Sequence, residues 1–117
     1  MNAEIWREGF LSTLHQFASE EYQERVWRHG KGPEVSSFDE AYNDFFDLYY
    51  NTKDLPAYCR ALHWNVQKEN AIKDFASLLE ALGDSVPETT SVSDVFDNPL
   101  WPSVPMRASE LRTTLLR

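Results

Sequence analysis

The chain is expected to fold as an all-α protein, a compact single-domain bundle of about five helices over residues 1–117 with a Pro-rich connector before the last helix. Three observations carry that expectation. Apolar residues recur at intervals of three and four along most of the chain, no segment alternates strongly with period two, and helix-start residues precede the apolar runs. With 117 residues, 42% of them hydrophobic and 14% aromatic, the chain can bury a real core and is too apolar for intrinsic disorder. Neither an internal repeat nor a low-complexity tract interrupts it.

Trp6, Phe10, Leu14 and Phe17 stand at helical spacing and predict a first helix over residues 3–18. Ser19 is placed to N-cap a second helix, "EEYQERVWRHG", with Glu20 and Glu21 near its positive end and Gly30 just past its C-terminus. "GKGPE" then breaks the chain. Ser37 followed by Glu40 is a capping-box pattern, and the apolar run of the third helix begins at Phe38. On a wheel of about 100° per residue, Phe38, Tyr42, Phe45 and Tyr49 share one face, flanked by Phe46 and Leu48. Glu40, Asp44 and Asp47 fall within roughly 60° of one another on the opposite face.

Residues 51–54 make a turn, and Pro56 suits the first turn of the next helix. From residue 55 to residue 82 the pattern is helical: Tyr58, Leu62 and Val66 line the first half, and Ile72, Phe75, Ala76, Leu79 and Leu82 the second. The polar stretch "NVQKEN" leaves open whether this is one helix or two, broken near Asn65, and Gly83 is expected to end it. The connector "DSVPETTSVSDVFDNPLWPSVP" holds Pro87, Pro99, Pro102 and Pro105 and one short helical turn near residues 92–96. Val95, Phe96, Leu100 and Trp101 are apolar enough to dock it on the domain, and a last helix over residues 107–116 brings Leu111, Leu115 and Leu116.

Charge excludes several classes of function. The net charge is −8, from 19 acids against 11 bases, and the bases are scattered apart from a thin tail of Arg107, Arg112 and Arg117. Phosphate backbones and anionic membrane surfaces would repel such a chain, so neither nucleic acid nor a membrane is expected as partner. The amino terminus lacks the basic and apolar stretches of a signal peptide, no run approaches the ~20 apolar residues of a spanning helix, and Cys59 has no second cysteine to pair with. Cytoplasmic residence is the corresponding expectation, with a monomer as the simplest state.

Reactive constellations are sparse. Cys59 and His63, four apart on a predicted helix, have the spacing of two zinc ligands, but His15 and His29 stand alone and nothing completes a set of three or four. The same pair lacks the Gly-rich elbow or oxyanion loop of a nucleophilic site, and "GKG" falls short of a phosphate-binding loop. The expectation is therefore no metal, no cofactor and no catalytic residue. Paired acids such as Glu20/Glu21 and Asp39/Glu40 suit helix N-termini better than proton transfer.

The acidic surface remains. Residues 34–54 carry six acids, Glu34, Asp39, Glu40, Asp44, Asp47 and Asp54, against the single base Lys53. Residues 74–106 hold Asp74, Glu80, Asp84, Glu88, Asp94 and Asp97 with no base at all. Two readings are open: a solvated surface that keeps the chain soluble, or a docking face for a basic partner. A docking face also needs aromatic anchors within its charged rim, and Tyr50, Trp64 and Trp101 are the candidates, with Trp6 and Trp27 assigned to the core. A different class of binder, a helical adaptor gripping a partner helix with Trp64, Trp101 and the apolar tail, uses the same aromatics without the charge.

"YQERVWRHGKGPEVSSFDEAYNDFFDLYY", residues 22–50, resembles a segment of small cytoplasmic immunity proteins of contact-dependent growth inhibition and related polymorphic-toxin systems. The shared features are an aromatic and basic helix ending in Gly, the "GPEVSSFDEA" turn and cap, and the acidic, aromatic helix after it. The match covers about a quarter of the chain. The resemblance implies a protein that binds and neutralises a cognate toxin domain, often a ribonuclease with a basic substrate cleft, by placing carboxylates where phosphates would sit. It implies no catalytic residues, because the activity is inhibition by binding. The partner-binding residues expected from the acidic surface and its aromatic anchors are Glu34, Asp39, Glu40, Asp44, Asp47, Tyr50, Asp54, Trp64, Asp97 and Trp101.

Overall fold

Asn2 starts the first helix: its side-chain oxygen accepts the Ile5 N–H at 2.8 Å, satisfying one of the donors that a helix N-terminus leaves unpaired. The computed structural model describes residues 2–50, 55–86 and 91–117. Helix α1 (Ala3–Ala18) has the bounds its periodicity predicts and turns Trp6, Phe10, Leu14 and Phe17 into the core. Each such buried side chain contributes about 1.5–3 kcal/mol. The helix packs against both the third and the last helix, which makes it the centre of the fold.

Ser19 accepts the Tyr22 N–H at 3.1 Å and starts α2 (Glu20–Tyr22), which continues in π geometry over Gln23–Arg28. Gln23, at that transition, is buried. Its Nε2 donates to the carbonyls of Gln16 at 2.9 Å and Phe17 at 2.7 Å, two acceptors left over at the end of α1. Gly30 ends the π segment with a left-handed φ of 61°, as its position predicts.

Helix α3 (Phe38–Tyr50) begins where Ser37 Oγ accepts the Glu40 N–H at 3.1 Å. It buries Phe38, Ala41 and Phe45. Phe45 lies against Phe10 at 5.3 Å between ring centroids and against Phe75 at 5.5 Å, joining α1, α3 and α5 in one aromatic seam. Trp6 Nε1 donates to the Leu48 carbonyl at 2.9 Å, so α1 also satisfies the last turn of α3.

The span 55–82 is two helices, α4 (Leu55–Ala61) and α5 (Val66–Ser85). His63 stands between them at φ 58°; its N–H donates to Arg60 O at 3.1 Å, and the Trp64 N–H donates to Cys59 O at 2.7 Å. That pair of bonds is a Schellman motif, with His63 in the place glycine usually takes. The motif turns Trp64 into the core, edge-on to Trp6 at 6.0 Å, and leaves Val66 exposed instead of on a continuous apolar stripe. Asn65 then caps α5, its side chain accepting the Lys68 N–H at 3.0 Å.

Gly83 does not end α5, which runs on to Ser85. A Cβ there would overlap the Tyr42 ring and hydroxyl, so this glycine answers to a close approach between α3 and α5. The Pro-rich connector is also shorter than expected. It contains α6 (Val92–Phe96), started by a Ser91–Asp94 capping box, and the last helix, α7 (Ser103–Leu116), begins four residues early. Pro105 fits inside the first turn of α7 because first-turn N–H groups have no helical partner to lose. Seven α-helices and no strand are therefore present among the described residues, where about five helices were expected. No helix among the described residues is long and apolar enough to cross a membrane. The buried side chains form one cluster. Residues 51–54 and Pro87 lie outside the described residues.

A left-handed non-glycine residue costs about 1–2 kcal/mol, part of which glycine returns by enlarging the entropy of the unfolded chain. His63→Gly is therefore expected to stabilise the protein by about 0.5–1 kcal/mol, read as a higher urea midpoint at unchanged slope. A lower midpoint would put His63 outside the left-handed region and remove the Schellman turn.

Candidate functional site

Because α3 buries Phe38, Ala41 and Phe45, the opposite side of the helix must face water, and Asp39, Glu40, Asp44 and Asp47 are all exposed there. Asp44 and Asp47 also form one wall of a shallow cleft of about 390 Å³ between α1 and α3, whose other lining includes Ser12, Thr13 and Gln16. The cleft is open, with a mixed polar and apolar lining, suited to contact with another surface and too shallow to enclose a small molecule.

Among the described residues, the Arg and Lys side chains that form ion pairs do so with other acids. Arg7 pairs with Glu4 at 2.7 Å, Arg28 with Glu24 at 2.9 Å and Lys73 with Glu69 at 3.3 Å, each within one helical turn. Arg25 holds Glu21 and Glu34 together, gripping Glu34 with two nitrogens at 2.7 and 3.0 Å and donating to the Lys31 carbonyl at 3.2 Å. Gly32, at φ 102°, gives that guanidinium room, since a Cβ would overlap it. Among the described residues, no Lys or Arg forms an ion pair with Asp39, Glu40, Asp44 or Asp47.

The ten residues expected to bind a partner do not all come together. Asp39, Glu40, Asp44, Asp47 and Tyr50 share α3 and are exposed. Glu34 is half-buried and spent on Arg25, which ties the loop before α3 to the π segment. Asp97 is exposed at the C-cap of α6, off the stripe. Asp54 lies outside the described residues. Trp64 and Trp101 correct the expectation of exposed anchors: each is only 8% exposed. Trp101 packs against Phe96 at 5.1 Å, Phe38 at 6.2 Å and Trp27 at 6.2 Å, so the connector docks through it.

Missing from the sequence-based set are Tyr42 and Phe46, assigned there to the apolar face. Both are only half-buried, and with Tyr50 they run along α3 at intervals of four, one row over from Asp39, Asn43 and Asp47. The shared spacing of the two rows was the available signal.

Cys59 and His63 do not share a helical face, since α4 ends at Ala61 and His63 follows in the left-handed turn. Cys59 is buried, and that burial, with the Glu69 carboxylate adding to it and Lys73 opposing, pushes its thiol up to about 11. Little thiolate is then present at neutral pH. Among the described residues, no three His, Cys, Asp or Glu side chains are grouped so as to hold a metal ion.

No family model, curated protein or solved structure matches the chain.

The Arg25 hydrogen bonds, with a backbone N–H and the guanidinium charge, hold the Glu34 carboxyl at about 2 against an ordinary 4.5. A depressed carboxyl contributes stability that is complete above the ordinary value and is lost as pH falls through the depressed one. Between pH 4.5 and about 2, urea midpoints should therefore fall more steeply for the parent protein than for Glu34→Gln. Equal slopes would mean that the pair contributes nothing to folding.

Proposed function

We propose that this chain is an immunity protein: a non-catalytic, stoichiometric inhibitor that binds a cognate basic toxin domain, a nuclease of the ribonuclease type, and occludes its substrate cleft with the acidic face of α3. The observation that carries the reading is that Glu40, Asp44 and Asp47 share one exposed side of α3 and, among the described residues, form no ion pair with Lys or Arg. The net charge of −8 adds a long-range field of the sign that such a partner requires. The resemblance of residues 22–50 to immunity proteins supplies the class of partner.

The physical sequence is steering, then docking. Aligned carboxylates raise the encounter rate with a basic cleft by about 10- to 1,000-fold, an effect that weakens with salt. On contact, the carboxylates accept charge-assisted hydrogen bonds from Arg and Lys that otherwise hold phosphate. The adaptor reading, in which Trp64 and Trp101 grip a helix, loses those two anchors to the core.

The test starts from the adjoining gene, which under this reading encodes a large secreted protein with a basic C-terminal domain. Co-expression of this chain should suppress the toxicity of that domain, and the absence of suppression would overturn the reading. Asp44→Lys with Asp47→Lys is expected to slow association at least about tenfold, with a smaller change in dissociation and a flatter salt dependence. Full neutralisation by the folded double variant would take the α3 face out of the mechanism.

A further inference from the structure

The aromatic row beside the acidic stripe is built for more than general negative charge. Tyr42 and Phe46 have ring centroids 4.8 Å apart, and Phe46 and Tyr50 are stacked at 5.2 Å with planes 21° apart. Tyr49 braces the outer end, edge-on to Tyr50 at 5.2 Å and stacked on the core ring of Phe45 at 5.9 Å. Tyr50 is nevertheless 59% exposed. A rigid, partly exposed strip of three rings is therefore held in place by the core without being covered by it.

Carboxylates border this strip on both sides. On α3, Asp39 and Asp47 occupy the next row. On α5, Gly83 lies against the Tyr42 ring and hydroxyl, which brings its neighbour Asp84 and, one turn earlier, Glu80 to this edge; burial raises the Tyr42 phenol pKa, and both carboxylates raise it further. Burial likewise raises the phenol of Tyr49, with Glu80 adding and Lys73 opposing. Lys73, the base that opposes this shift, pairs with Glu69 at 3.3 Å. The faces of aromatic rings are themselves electron-rich, so rings and carboxylates here favour the same sign of ligand. The chain already uses this chemistry internally, where the Arg28 guanidinium lies 4.9 Å from the Phe96 ring centre.

We propose that Tyr42, Phe46 and Tyr50 form an arginine-selective docking strip, on which planar guanidinium groups of a basic polypeptide lie against the rings while their N–H donors reach Asp47 on one side and Glu80 or Asp84 on the other. Lysine satisfies the carboxylates but gains less from the strip, because its ammonium is compact, strongly hydrated and has no plane to stack. The inference rests on the acidic-face reading and adds the residue type that this face selects.

Fluorescein-labelled oligoarginine and oligolysine peptides of equal length test it by fluorescence anisotropy at physiological salt. Oligoarginine should bind at least about threefold more tightly than oligolysine. Tyr50→Phe should keep that ratio, and Tyr50→Leu, which retains apolar bulk without a ring, should bring it toward one by weakening oligoarginine binding more than oligolysine binding. Equal binding of the two peptides, no binding of either, or an undiminished ratio in Tyr50→Leu would each overturn the proposal. On the parent protein alone, adding oligoarginine should shift the ring proton resonances of Phe46 and Tyr50, and unmoved resonances overturn it without reliance on a variant. The acidic-face reading fails separately, if Asp44→Lys with Asp47→Lys leaves the affinity for both peptides intact.

Discussion

Phe45 cannot be left in water, and neither can Phe38, so α3 has only one rotation about its axis that the fold accepts. Phe10 and Phe17 from α1 and Phe75 from α5 close around Phe45, and Phe38 meets Phe17, Trp27 and Trp101. Once those rings are inside, the periodicity of the helix decides what is outside: the carboxylates of Asp39, Glu40, Asp44 and Asp47. Display of charge here is thus a packing consequence. Turning α3 to hide its acids would expose Phe38 and Phe45.

Ion pairing follows a complementary division. Among the described residues, the pairs lie in α1, in α2 and the π segment with the loop after it, and in α5, where bases stand three or four residues from acids or across a short loop. Helix α3 contains no base at all, so its own sequence offers no internal partner to its acids. The Arg25–Glu34 pair then acts as a brace for the loop that leads into α3, not as part of the displayed charge.

Where local chemistry decides structure, the sequence was legible. The bounds of α1, the Ser19 and Ser37 caps, left-handed Gly30 and the buried positions of α5 all follow from spacing and cap residues. Where tertiary contact decides, it was not. His63 takes a glycine's place because the turn delivers Trp64 to Trp6, and nothing in the local pattern announces that. Gly83 looked like a terminator and instead makes space for Tyr42. Trp101 reads in the sequence both as a partner anchor and as a residue that docks the connector, and contact with Phe38, Trp27 and Phe96 decides for docking. The acidic stripe was readable from the wheel, whereas the half-exposure of Tyr42 and Phe46 depends on how far α5 reaches across α3.

Inhibition by the α3 face requires its carboxylates to be open to solvent and free of internal partners. Carbodiimide footprinting of the free, folded chain, with site-resolved mass spectrometry, measures this directly. Asp44 and Asp47 should label rapidly, while Glu34, held by both nitrogens of Arg25, labels slowly. Protection of Asp44 and Asp47 equal to that of Glu34 would contradict the mechanism, because the face would then be closed before any partner arrives.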